Sequence, residues 1–275
     1  MHAWAIKRAF LALRSDRHIV NDFPANDHRR RGIPLRAIAP NAITALALCS
    51  GLTAVRYGVG GEWEKALTAT VIAGLLDGID GRVARMLHAE SRFGAELDSL
   101  SDVIAFGVAP AMIMYLWSLN NVAKFGWLFA LAFALCCALR LARFNANIDV
   151  AEQPHKSAGF LTGVPAPAAA GLALAPMYLW LETGEAVFRN PVLVATWLGL
   201  VGFLMISNIA TFSWGALRPR RSVRLELILL FAMMGSAMFS VPWITLSLIS
   251  LLYVAAIPFG MRSYAKTKRL KAAKP

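Results

Sequence analysis

The chain has 275 residues, 57% of them hydrophobic, and a mean hydropathy of +0.54, which is too apolar for an ordinary soluble domain. Its formal net charge is +12, but the basic residues lie between and beyond the apolar runs, so membrane topology and anionic lipid account for them better than nucleic acid does. The three cysteines, Cys49, Cys136 and Cys137, all lie inside apolar stretches; an odd count without metal-ligand spacing argues against a disulfide framework or a zinc site and leaves small buried hydrophobes.

Residues 1–37 lack the uninterrupted apolar core and small-residue cleavage site of a signal peptide. Trp4, Ile6, Phe10, Leu11 and Leu13 alternate with Lys7, Arg8 and Arg14. This pattern suits a short amphipathic helix on the membrane surface, with a partly disordered tail as the alternative. Eight apolar stretches follow, at about 38–58, 65–87, 95–118, 122–145, 160–182, 191–214, 224–240 and 243–262, and each is read as a transmembrane helix. The expected fold class is therefore all-α, a polytopic membrane helix bundle with a catalytic domain over 38–262 and a basic tail over 263–275. Pro110, Pro176 and Pro258 fall inside spans and are expected to kink them. An even number of spans puts both termini on one side, and 24 of the 28 Lys and Arg residues then share that side. By the positive-inside rule it is cytoplasmic, which points to a multi-pass protein of the inner, cytoplasmic membrane.

The second and third spans hold the unusual stretch, DGIDGRVARMLHAESRFGAELDSLSD, residues 77–102. Asp77, Asp80, Asp98 and Asp102 stand here between two apolar flanks, and a carboxylate beside a membrane-length apolar run is functional by default. Asp77 and Asp80 are three apart, Asp98 and Asp102 four apart, so each pair shares a helix face. Gly81, Ala84 and Arg85 continue the first face, and Gly94 joins the second. Four close carboxylates cannot all stay ionised without cations between them. Oxygen-only ligands suit Mg²⁺ or Mn²⁺, and paired metals on shared carboxylates are a common arrangement for phosphoryl displacement. Solvated acids at a helix end would be the bland alternative, but it leaves the glycines and the arginine in register unexplained.

The pattern Asp77-x2-Asp80-Gly81-x2-Ala84-Arg85-x8-Gly94-x3-Asp98-x3-Asp102 resembles the signature of CDP-alcohol phosphatidyltransferases, with each fixed position present. The resemblance implies CDP-diacylglycerol as donor, transfer of its phosphatidyl group to an alcohol, and release of CMP. It further implies two metal ions, one held by Asp77, Asp80 and Asp98 and one by Asp77, Asp98 and Asp102, with Asp102 also the base that deprotonates the acceptor. Gly81, Arg85 and Ser91 match positions that contact the nucleotide-lipid; Gly78 and Gly81 would let a pyrophosphate approach the backbone, and the planar fork of Arg85 suits a phosphate. Pro40-Asn41-Ala42-Ile43-Thr44 resembles the family's PNxxT element near the cytidine. A helix cap is the alternative for Asn41, and a structural role is favoured for Thr44. Homodimers are common in the family, so a homodimer is expected.

Three further stretches resemble the branch of the family that uses serine: Phe106–Pro110, Arg140–Asn145 and Gly159–Pro167. Serine carries a carboxylate, which Arg140 and Arg143 could bind, with Asn145 beside them. Positive-inside anchoring is the alternative for the two arginines. Lys156 and Thr162 are weaker candidates, and His88 and His155 read as interfacial residues. Ser99 and Ser101 lack a His/Asp partner for hydrolase chemistry. The reading is thus an enzyme that joins CDP-diacylglycerol and L-serine to give phosphatidylserine and CMP. Choline, inositol phosphate or glycerol phosphate remain alternative acceptors, and a cation transporter is the non-enzymatic alternative.

Overall fold

The computed structural model describes residues 35–146, 160–207, 209–212 and 224–272. The expected interfacial helix before residue 35, and His155 and Lys156, lie outside the described residues.

Helix α1 is Leu35–Val59, α2 is Trp63–Met86 and α3 is Arg92–Asp102. From Asp102 the chain passes without a break through a π-helical turn, Val103–Val108, into α4, Ala109–Trp117. Pro110 has no N–H to give, and it sits where the ladder changes from π to α register. Helix α5 is Ala123–Ala146, α6 is Ala166–Ala173, α7 is Ala175–Thr183 and α8 is Pro191–Ile206. Helices α6 and α7 are one apolar stretch broken at Leu174, with Pro176 at the start of the second piece. Helix α9 is Arg224–Ser240, and α10, Pro242–Ala272, contains Pro258 and continues as one helix into the basic tail.

All eight apolar stretches carry helix, which makes the protein a polytopic helical membrane protein. Among the described residues, four helical stretches are long and apolar enough to cross a bilayer by length and composition: Ile38–Val59, Arg92–Trp117, Lys124–Ala146 and Pro242–Gly260. Helix α2 has 24 residues, but Asp77, Asp80, Arg82 and Arg85 lower the apolarity of its second half. Helix α8 has 16 residues, about 24 Å at 1.5 Å per residue, shorter than the hydrocarbon core.

Two span boundaries differ from expectation. Residues 160–162, expected to open span five, form strand β1, and residues 210–212, expected to close span six, form strand β2. The strands pair antiparallel, with Phe160 opposite Phe212 and Thr162 opposite Ala210. Gly163 makes the junction possible. It has φ +71°, and a Cβ there would lie 2.4 Å from the carbonyl oxygen of Met205, so only glycine brings the β1 end this close to the end of α8. Its N–H donates to the carbonyl of Ile209 at 2.8 Å.

The core is built largely of small side chains. Ala54, Ala66, Ala73, Ala105, Ala109, Ala166, Ala169 and Ala173 are all buried, and small residues let membrane helices approach closely. At Gly51 a Cβ would be 2.8 Å from the Cα of Ala105, so α1 lies directly against the π-helical turn. Helix α5 packs along α8 and against the same turn, and α10 packs against α7 and β2. Of the cysteines, Cys137 is buried as expected, whereas Cys49 is exposed on α1. At the end of α4 remote from the acids, Arg189 closes the bundle. Its Nε donates to the carbonyl of Trp117 at 3.0 Å, and its guanidinium lies 5.5 Å from the Trp180 ring centre.

Candidate active site

Three elements meet at the acidic stretch. Helix α2 carries Asp77 and Asp80 in its second half. A turn through His88, in the left-handed region at φ 48°, leads to α3, whose last residues include Asp98 and Asp102. The two helices bring one carboxylate oxygen from each of Asp77, Asp98 and Asp102 within 4.8 Å of one another. The predicted pairing of the two acidic faces is therefore present for three of the four acids.

Asp80 is placed differently. Its carboxylate accepts a hydrogen bond from Thr44 Oγ1 of α1 at 2.6 Å, and both side chains are almost wholly buried, 4% and 5% exposed. Thr44 is a residue that sequence reasoning undervalued. The Pro40 carbonyl of its own helix is 3.1 Å from its hydroxyl. The shorter bond reaches across to α2. The carbonyl of Thr44 also accepts from Ser101 Oγ at 3.3 Å, which ties α3 to the same point of α1.

The donor set fits a divalent cation. One buried oxygen of Asp102, Oδ1, has no hydrogen-bond partner, and an unpaired buried carboxylate oxygen is costly unless a proton or metal meets it. The three acids offer oxygen ligands only, the preference of Mg²⁺ and Mn²⁺. Beside them the backbone is open. A Cβ at Gly78 would meet nothing within 4 Å, and one at Gly81 would meet only Arg85 Nη1, at 4.0 Å. That open backbone is what the close approach of a pyrophosphate requires. Arg85 is exposed one turn beyond Gly81.

Asn41, Ser91 and Gly94 come together where α3 starts. Ser91 is the N-cap of α3, its Oγ accepting from the N–H of Gly94 at 3.0 Å. This leaves the Ser91 hydroxyl hydrogen to donate elsewhere. A Cβ at Gly94 would lie 3.0 Å from Asn41 Oδ1 and 3.1 Å from Ser91 Oγ, so this glycine admits Asn41 to the helix start. The Asn41 amide nitrogen, Nδ2, is a buried donor with no hydrogen-bond partner.

The residues expected to hold serine separate in space. Arg140, on α5, is half-buried and within electrostatic reach of Asp102, Cys137 and Tyr253, and its Nε is buried with no hydrogen-bond partner. Arg143, one turn on, is exposed, and its Nη1 donates to the carbonyl of Ile206 at the end of α8 at 3.4 Å. Asn145 donates from Nδ2 to Ser99 Oγ at 2.9 Å, joining the end of α5 to the acid-bearing α3. Arg140 lies within electrostatic reach of Asp102, and Asn145 meets the residue next to Asp98.

A carboxylate cluster able to gather divalent cations, beside open glycine backbone and unpaired buried donors, could through those cations neutralise a phosphate ester and orient it. Residues 37–214 match the CDP-alcohol phosphatidyltransferase family. The chain is also similar to curated proteins named CDP-diacylglycerol–serine O-phosphatidyltransferase. The protein of that name from Mycobacterium tuberculosis is 36% identical over 234 residues, covering 85% of this chain and 81% of the relative. That from Helicobacter pylori is 36% identical over 170 residues, 62% of this chain and 70% of the relative. That from Bacillus subtilis is 33% identical over 170 residues, 62% of this chain and 87% of the relative. The match spans α1 to β2 and contains each acid of the cluster, and the chain belongs to the CDP-alcohol phosphatidyltransferase family.

Proposed function

We propose that this protein transfers the phosphatidyl group of CDP-diacylglycerol to the hydroxyl of L-serine, giving phosphatidylserine and CMP. The observation that carries the reading is the convergence of Asp77, Asp98 and Asp102 within 4.8 Å, on the family's spacing. The relatives, serine O-phosphatidyltransferases by name, support serine as the acceptor.

Asp77, Asp98 and Asp102, with Asp80 beside them, are the residues that would hold two Mg²⁺ or Mn²⁺ ions. When bound, the ions neutralise the pyrophosphate and the charge that builds on the departing CMP. The remaining work belongs to the chain. Gly78 and Gly81 let the pyrophosphate lie against the α2 backbone, Arg85 and the Ser91 hydroxyl donate to phosphate oxygens, and Asn41 offers its amide to the cytidine. Arg140 orients the serine carboxylate, while Arg143 and Asn145 hold the end of α5 to α8 and to α3. Asp102 takes the proton from the serine hydroxyl; the freed oxygen bonds to the phosphorus that bears diacylglycerol, the bond from that phosphorus to the CMP oxygen breaks, and CMP leaves. The acyl chains of the donor remain in the bilayer throughout.

The distribution of basic residues supports a site opening to the cytoplasm, with both termini on that side of the inner membrane. A homodimer is part of the same reading.

The test is CMP release from CDP-diacylglycerol by purified protein, with serine, choline, inositol phosphate or glycerol phosphate supplied in turn. Serine-dependent release that chelator abolishes and Mg²⁺ or Mn²⁺ restores is the expected result. Release with another alcohol and none with serine would replace the acceptor. Metal-dependent ion flux without CMP would replace the enzyme by a transporter.

A further inference from the structure

Thr44 stands at a crossing of three helices. It belongs to α1, its side chain bonds Asp80 of α2 at 2.6 Å, and its carbonyl accepts from Ser101 of α3 at 3.3 Å. Ser101 directly precedes Asp102 in α3. One residue thus touches both acid-bearing helices, by contacts spanning 36 and 57 positions of the chain. Thr44, Asp80 and Ser101 are all buried, so water does not replace these bonds if they are lost.

We propose that Thr44 is a positioning residue for the acid cluster, fixing Asp80 by its hydroxyl and the register of α3 against α2 by its carbonyl. The inference rests on the metal-binding reading of those acids given above. A buried carboxylate left alone would turn toward whatever donor or cation it could reach. The Thr44 hydroxyl fixes one oxygen of Asp80 and so leaves the other in a defined direction. The Ser101 bond holds the start of the π-helical turn, and with it Asp102, at the same level of α1. Outer partners that orient a metal-ligating carboxylate set its affinity even though they never touch the ion.

The experiment uses the full-length protein in detergent. Mn²⁺ binding is measured by electron paramagnetic resonance without nucleotide or serine, alongside kcat, the KM values for both substrates and the melting temperature in EDTA. Thr44→Val and Thr44→Ala remove the oxygen; Thr44→Ser keeps it. Oxygen removal is expected to weaken Mn²⁺ binding by roughly 10-fold or more and to lower kcat, with the KM for serine unchanged, while Thr44→Ser stays near wild type. Val and Ala variants that remain folded and bind Mn²⁺ as the wild type does would overturn the proposal. So would a rise in the KM for CDP-diacylglycerol with Mn²⁺ binding intact, which would make Thr44 a nucleotide contact. Equal damage from Thr44→Ser would overturn it too. Wild-type protein that binds no Mn²⁺ at all would instead remove the metal reading on which the proposal stands.

Discussion

Asp102→Asn separates the cost of the acid cluster from its use. Three carboxylate oxygens lie within 4.8 Å of one another. Two unit charges at that distance repel by about 3.5 kcal/mol at an effective dielectric constant of 20. Asparagine at 102 keeps the side-chain volume, removes two of the three repelling pairs, and adds an N–H₂ that can donate to Asp77. Without a cation the cluster cannot stay fully ionised, and water reaches the half-buried Asp77 and Asp98, so the relief shrinks to something on the order of 1 kcal/mol. The variant in EDTA is therefore expected to melt at or slightly above the temperature of the wild type, while being inactive. Adding Mn²⁺ should raise the melting temperature of the wild type, because a ligand that binds only the folded state stabilises it by mass action; the variant should respond weakly or not at all. Tryptophan fluorescence during heating, in EDTA and across a Mn²⁺ series, reads both effects from one sample. A variant that melts below the wild type in EDTA and responds equally to Mn²⁺ would refute the reasoning, since the three acids would then be neither repelling one another nor sharing an ion.

Three further outcomes are expected. Gly163→Ala places a side chain at φ +71° with its Cβ 2.4 Å from a backbone oxygen, and the sum of left-handed strain and overpacking is on the order of 3 kcal/mol; a large fall in melting temperature checks it. Gly78→Ala and Gly81→Ala face open space, so both should melt like the wild type or slightly above it, while the KM for CDP-diacylglycerol rises if the pyrophosphate lies there. Arg140→Lys should raise the KM for serine by roughly 10-fold through loss of the planar fork, and Arg143→Ala, already engaged with the Ile206 carbonyl, should change it less; the reverse order would move the serine carboxylate to the surface arginine.

Much of the site was legible because helical periodicity is a local property. Spacings of three and four fix Asp77 with Asp80, and Asp98 with Asp102, on shared faces whatever else the chain does. Apolar run length likewise announces membrane helices without any knowledge of their neighbours. The short ribbon was not legible for the same reason in reverse. Phe160–Thr162 and Ala210–Phe212 read as ends of apolar runs, and periodicity cannot tell a short buried strand from a helix end. The π-helical turn after Asp102 left no mark on the sequence beyond Pro110.

By itself the sequence determined that four acids would enter the membrane on two helices, with the glycines and the arginine that accompany them. Only the tertiary structure decided how those acids divide: Asp77, Asp98 and Asp102 gather, Asp80 is bonded by Thr44, and on α5 Arg140 comes within electrostatic reach of Asp102 while Arg143 bonds the Ile206 carbonyl. The physical reason is that a side chain's face on its own helix depends on residues a turn away, whereas its partner depends on which other helix packs there. Here that choice rests on small residues such as Gly51 and Gly94, whose effect is the distance they permit between helices far apart in the chain.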